Sequence, residues 1–128
     1  MMSFYPYVYD PAEKIWDFPP GRPAGSEDLS VEATNANMTD ILLALGLAPG
    51  SDSEPMPIDL FFNLVNAALR ARIGRRSPAI AAHADAPPGR MAIIHCARDE
   101  GYVERRLHEI ALFVQRSREI HATHIGWG

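Results

Sequence analysis

Apolar residues recur at helical spacing in three stretches of the chain and alternate along several shorter ones. In the first helical stretch, Met38, Ile41, Leu42 and Leu45 share one face. Asn35 or Asn37 is expected to cap its start, with Asp40 in the first turn and Gly46 as its stop. The second opens at Pro57, whose missing N–H would have no partner at a first helical position anyway. It is expected to run to Ile73, with Gly74 as the stop. Ile58, Phe61, Phe62, Leu64, Val65, Ala68 and Leu69 give it a broad apolar face, opposite Asp59, Asn63, Asn66 and Arg70. The third covers about residues 100–120 behind Asp99 as a cap, with Tyr102, Val103, Leu107, Ile110, Phe113 and Val114 on one side.

The extended segments lie mostly toward the two ends. Phe4-Tyr5-Pro6-Tyr7-Val8-Tyr9 leads into Asp10-Pro11, a type I turn signal, and Ile15-Trp16-Asp17-Phe18 resumes the apolar alternation. Residues 4–18 therefore read as a β-hairpin, with Pro6 required to sit on an edge or a bend. Pro19 to Ser26 is a loop, and Leu29 to Ala33 alternates as a short strand. Pro49 to Pro57 is a second loop. Residues 77–90 carry no clear periodicity, and Pro87-Pro88-Gly89 is a break. Met91 to Cys96 reads as a short buried strand, with a helical turn as the alternative, and residues 122–128 as a closing strand or extended tail. The expected fold is α+β and a single domain over 1–128. About three helices pack against a small, mostly antiparallel sheet made from the N-terminal hairpin, the segment near 91–96 and the tail.

Composition narrows the classes. The chain has 128 residues, 47% of them hydrophobic and 22% charged, ordinary values for a domain with its own core. The longest apolar run, Ile41 to Leu47, is far short of the roughly 20 residues of a membrane span. The opening segment lacks the basic start and apolar run of a signal peptide. Cys96 is the one cysteine, which excludes an intrachain disulfide and a cysteine-based zinc knuckle. A cytoplasmic location and no membrane partner follow as expectations. The net charge of −4 conceals an asymmetry. Residues 1–66 carry ten acids against Lys14 and Arg22, whereas residues 67–128 carry six acids against ten arginines. Three readings are open: the arginine usage of a GC-rich genome, a basic half facing an anion or partner, or two halves that neutralise each other.

One charged residue stands where a core would not want it. Arg106 projects into the apolar side of the third helix, between Tyr102, Ile110 and Phe113. A guanidinium there must be ion-paired to an N-terminal acid, extended to the rim of the stripe, or turned to an anion in a pocket. Asn35 and Asn37 read as caps and, alternatively, as amides of a polar pocket with Arg106 and Tyr102. Asn63 and Asn66 are a second asparagine pair with no spacing that demands a site. His121 and His124, near Glu119, offer metal-ligand types, but no HExxH or paired-cysteine spacing accompanies them. His95 and Cys96 are neighbours in an expected strand, so they point to opposite faces and do not form a nucleophile–base pair. No phosphate-binding glycine loop, GxGxxG or GxSxG occurs. No catalytic residue and no cofactor is assigned. Arg70, Arg72, Arg75 and Arg76 cluster at the end of the second helix, where they complement its dipole or form a nucleic-acid patch.

Asn35-x-Asn37 with Leu42-Leu43-x-Leu45-Gly46-Leu47, Tyr102-x-x-x-Arg106-Leu107 and Ile125-x-Trp127-Gly128 together resemble a pattern in small bacterial proteins. The resemblance implies a bacterial source and transfers no catalytic residue. The function expected from these residues is a non-catalytic binding or protein-interaction domain, with a protein partner or self-association. The first alternative is an anionic-metabolite binder or enzyme using Arg106, Asn35, Asn37, Tyr102 and Trp127. The second is a nucleic-acid-associated protein using the Arg70 to Arg76 cluster.

Overall fold

The aromatic run after the first residue forms one long strand, β1 (Met2–Asp10), and the rest of the sheet assembles around it. The computed structural model describes residues 2–10, 12–17, 19, 29–48, 55–81, 83–85, 89, 93–95 and 97–128, the segments 83–85 and 93–95 by their backbone. The parts of the expected segments at Phe18, 20–26, 49–54, Pro87-Pro88, Met91-Ala92 and Cys96 lie outside the described residues.

The hairpin forms as its turn signal implies. Asp10 Oδ1 accepts the N–H groups of Ala12 and Glu13 at 2.9 and 3.3 Å, and the chain returns as β2 (Ile15–Asp17), antiparallel to Val8–Asp10. Farther back along β1, Met2–Phe4 pairs with β3 (Val31–Ala33). β1's other edge pairs with β7 (His124–Trp127), which also carries the two-residue β4 (Met56–Pro57). All these pairings are antiparallel, in the order β2-β1-β7-β4 with β3 also on β1.

Pro6 sits inside this strand rather than at a bend. Ser3 exchanges both backbone hydrogen bonds with Gly128, so Ser3, Tyr5 and Tyr7 turn their backbone groups toward β7. The backbone nitrogen of Pro6 then faces the opposite edge, where pairing with β3 stops at Phe4 and pairing with β2 begins at Val8. The missing N–H falls in that gap, and no ladder bond is lost.

Register divides the sheet into two faces. Phe4 opposite Trp127 and Pro6 opposite Ile125 share the face covered by the helices. Tyr5, Gly126, Tyr7 and His124 share the other. A Cβ at Gly126 would lie 2.6 Å from Cε2 of Tyr7, so this ring's close approach requires glycine.

α1 (Asn35–Ala44), α2 (Ile58–Ala71) and α3 (Tyr102–Glu119) supply the second layer. Their apolar stripes meet Phe4 and Ile125 in a core that includes Met38, Ile41, Leu42, Phe61, Val65, Leu107, Ile110 and Val114, all fully buried. α2 and α3 run antiparallel: Arg118 meets Asp59 at one end of the pair and Arg72 meets Glu104 at the other. The α+β fold, with three helices and a small antiparallel sheet carrying an N-terminal strand pair, is as the pattern implies. No helix among the described residues is long and apolar enough to cross a membrane.

Local details differ from the sequence expectation. α1 is capped by Thr34, whose Oγ1 accepts the N–H of Asn37 at 3.4 Å; Asn35 and Asn37 are already in its first turn. α2 stops at Ala71, before Ile73, and tighter turns from Arg72 and Ile73 lead to Gly74 at φ 74°. α3 begins after Gly101 at φ 78°, and Asp99 contributes its carbonyl rather than a side-chain cap. The segment near 91–96 does not join the main sheet. Its β6 (Ile93–His95) pairs with β5 (His83–Asp85) in a separate two-stranded sheet, whose register continues to a bridge between Ile80 and Arg98.

Candidate anion-binding cleft

The end of α2 and the start of α3 meet at a polar clamp. Gly74 reverses the chain after α2, and Arg75, Arg76 and Ser77 lead away toward α3. In the first turn of α3, Glu104 reaches back to this segment. Its Oε1 accepts the Ser77 N–H at 2.9 Å and Arg72 Nη1 at 3.0 Å, and its Oε2 accepts the Ser77 hydroxyl at 2.8 Å. Ser77 Oγ in turn accepts the N–H of Val103 at 3.2 Å, serving one of the free donors at the helix start. Burial of Glu104 pushes its pKa upward. The hydrogen bonds from the Ser77 N–H, its own N–H, the Ser77 hydroxyl and Arg72 outweigh that and bring it down to about 2. Glu104 is therefore a fixed, ionised acceptor at neutral pH.

Clefts open on both sides of this clamp. The larger, about 690 Å³, lies toward α3 and has Leu69, Ile73 and Tyr102 as apolar walls. Five arginines (Arg70, Arg72, Arg75, Arg76 and Arg105) line it with Asp99, Glu100 and Glu104. The second, about 480 Å³, lies toward α1 and adds Asp40, Leu43 and Arg98. Arg72, Arg75, Arg76 and Glu104 belong to both. Arg98 Nη1 pairs with Asp40 at 2.6 Å, its side chain is 9% exposed, and its buried Nε has no hydrogen-bond partner among the described residues. Arg75 and Arg76 are exposed, and neither forms an ion pair among the described residues. The cleft thus contains arginines already neutralised, which shape it, and arginines whose charge is available to a ligand.

The residues singled out in the sequence are distributed differently. Arg106 Nη1 pairs with Glu109 at 2.5 Å, one turn along its own helix, and Nη2 donates to the carbonyl oxygen of Glu32. Among the described residues its contact with the N-terminal half is thus a backbone acceptor and not an acid side chain, and its buried Nε has no hydrogen-bond partner. Tyr102 does line the larger cleft, its ring centre 5.8, 5.5 and 6.0 Å from the Cζ atoms of Arg98, Arg105 and Arg106. Asn35 is exposed and Asn37 half-buried in the first turn of α1. Trp127 packs in the core against Phe4 and Phe61, at 6.1 and 6.4 Å between ring centres. Of these five, Tyr102 is the one that meets the Arg70 to Arg76 cluster in the cleft. Asn63 is exposed and Asn66 half-buried on α2.

His121, at φ 63°, closes α3 and is exposed, whereas His124 lies on the sheet face away from the helices. Among the described residues, no group of three His, Cys, Asp or Glu side chains stands where it could hold a metal ion. His124 instead packs edge-on to Trp16 at 4.8 Å and against Tyr9 at 5.9 Å, with Nδ1 2.7 Å from Thr123 Oγ1. Burial lowers its pKa below the ordinary 6.5. The unfolded chain therefore takes up a proton at a higher pH than the folded one. The contribution of His124 to stability is complete above about pH 6.5 and is lost as pH falls toward the lower folded value. Melting temperatures from about pH 8 to about pH 5 are expected to decline more steeply in the wild type than in His124→Gln; parallel curves would contradict this.

The sequence pattern carries little sign of the clamp: Ser77 opens the stretch without periodicity, and Glu104 gives one signal, an acid in the first turn of a helix. No protein-family model matches the chain, nor does any curated protein or solved structure match it significantly.

Proposed function

We propose that this protein is a non-catalytic binding domain that engages a partner through anionic groups received in the arginine-lined cleft between α2 and α3. The observation that carries this reading is two exposed arginines, Arg75 and Arg76, that form no ion pair among the described residues and stand on a segment held in place by the Glu104 clamp. Binding rather than proton-transfer chemistry is supported by the state of Glu104. A carboxylate held ionised down to about pH 2 is a poor base at neutral pH, and its oxygens are already occupied by donors. A nucleic acid is a less suitable occupant than a protein: its charge is continuous along the backbone and would run past Asp99 and Glu100, whereas a protein segment can confine its carboxylates to the arginines.

The test is an amide NMR titration with pyrophosphate and with a glutamate-rich peptide. Shifts are expected to concentrate in residues 69–77 and 99–108 and to saturate. In Arg75→Glu/Arg76→Glu the affinity should fall about tenfold or more, and the loss should shrink with added salt. Scattered shifts, or equal binding by the double variant, would refute the reading.

A further inference from the structure

The two clefts flanking the clamp share their central arginines and differ in what stands beyond them. Arg75 and Arg76 line both, so they lie in the middle of a continuous surface. On one side stand Leu69 and Ile73, and on the other Leu43, on α1. Ile73 is 79% exposed and Leu43 58%, so an apolar side chain stands open to solvent on either side of the arginines. An electrostatic site for a free anion has no use for them, whereas a peptide groove does: the charged centre fixes register and the flanking apolar residues supply buried area.

Resting on the proposed binding role of the cleft, we infer that its occupant is an extended acidic protein segment with an apolar residue on each side of its carboxylates. The acids face Arg75 and Arg76, one apolar side chain covers Ile73 and Leu69, and the other covers Leu43. Charge complementarity selects the acidic centre. The exposed aliphatic side chains at both ends select a peptide over a bare polyanion, because a phosphate backbone offers them nothing to bury against.

Fluorescence anisotropy with three labelled probes tests this: a peptide with the core Leu-Glu-Asp-Glu-Leu, the same peptide with alanine for both leucines, and a single-stranded oligouridylate. The leucine peptide is expected to bind about tenfold more tightly than the alanine peptide. Ile73→Ser and Leu43→Ser, both exposed positions that leave the core intact, should each weaken the leucine peptide and leave the alanine peptide unchanged. Arg75→Ala/Arg76→Ala should weaken both. Equal affinity of the two peptides, or serine variants that weaken neither, would overturn the inference while the anion-binding cleft stands. Failure of both peptides, with pyrophosphate also failing to shift residues 69–77, would overturn the cleft reading as well. Tighter binding of the oligouridylate than of the leucine peptide, lost in Arg75→Ala/Arg76→Ala, would overturn the inference in favour of a nucleic-acid occupant.

Discussion

Phe61→Ala is expected to lower the unfolding free energy by about 3–5 kcal/mol. Phe61 is fully buried on α2, with its ring centre 5.5 Å from that of Phe4 and 6.4 Å from that of Trp127. It therefore joins α2 to both central strands at once. Truncation removes the transfer free energy of the ring and leaves a cavity that its surroundings cannot close. β1 and β7 are held at ladder distance by their hydrogen bonds, and Phe4 and Trp127 are opposed in register on those strands. Domains of this size have some 5–15 kcal/mol in all, so the variant should be close to marginal at 37 °C. Urea unfolding measures the loss as a drop in midpoint, and Phe61→Leu should retain a substantial part of the stability. A change under about 1 kcal/mol for Phe61→Ala would mean that the helix layer does not rest on this ring.

Glu104→Gln is expected to cost about 1–3 kcal/mol at neutral pH, because three donors lose an ionised acceptor together. The amide can still accept with one oxygen, but its NH₂ replaces the other acceptor and then stands opposite either the Ser77 hydroxyl or the Ser77 N–H and Arg72. The pH dependence distinguishes this from a simple packing defect. The folded pKa of Glu104 is about 2 against an ordinary 4.5, so the folded state holds its proton less tightly than the unfolded chain. Its contribution is fully present above about pH 4.5 and is lost as pH falls through about 2. The stability difference between wild type and Glu104→Gln should therefore narrow across that window, followed by urea unfolding at a series of pH values. A difference independent of pH would show that the charge of Glu104 is not what holds Ser77 and Arg72.

Much of the fold was legible because it rests on periodicity and punctuation. Met38, Ile41 and Leu42 on α1, and Val103, Leu107 and Ile110 on α3, are buried as their spacing implies, and Gly46 follows the end of α1 at φ 77°. What escaped was decided by partners distant in sequence. The strand at 93–95 has the same composition whether it joins the main sheet or pairs with its own hairpin, and its partner at 83–85 lies in a stretch with no periodicity to announce it. At the start of α1, Thr34, Asn35 and Asn37 all carry side chains that can cap, and the extended conformation of Thr34 made the choice. For the site, the arginine cluster was visible in the sequence, but its role was not. That depended on which arginines find acids: Arg72 is paired with Glu104 across 32 positions and Arg98 with Asp40 across 58, whereas Arg70, Arg75 and Arg76 have no ion pair among the described residues. Arg106 was conspicuous for its position on an apolar face, and its partners proved to be a neighbour on its own helix and a backbone carbonyl.

The pairing of β1 with β7 sets an order on biosynthesis. Tyr7 meets Thr123 across 116 positions, and Phe4 waits for Trp127. As the chain emerges from the ribosome, the hairpin of β1 and β2 can form at once, but β1's other edge stays bare until everything up to residue 127 has been made. Throughout that interval Tyr5 and Tyr7 present their backbone donors and acceptors to solvent on a strand with strong pairing tendency. The nascent chain therefore keeps this edge open to wrong strand partners until β7 has been made, and a stall ahead of residue 124 would leave the central strand half-paired.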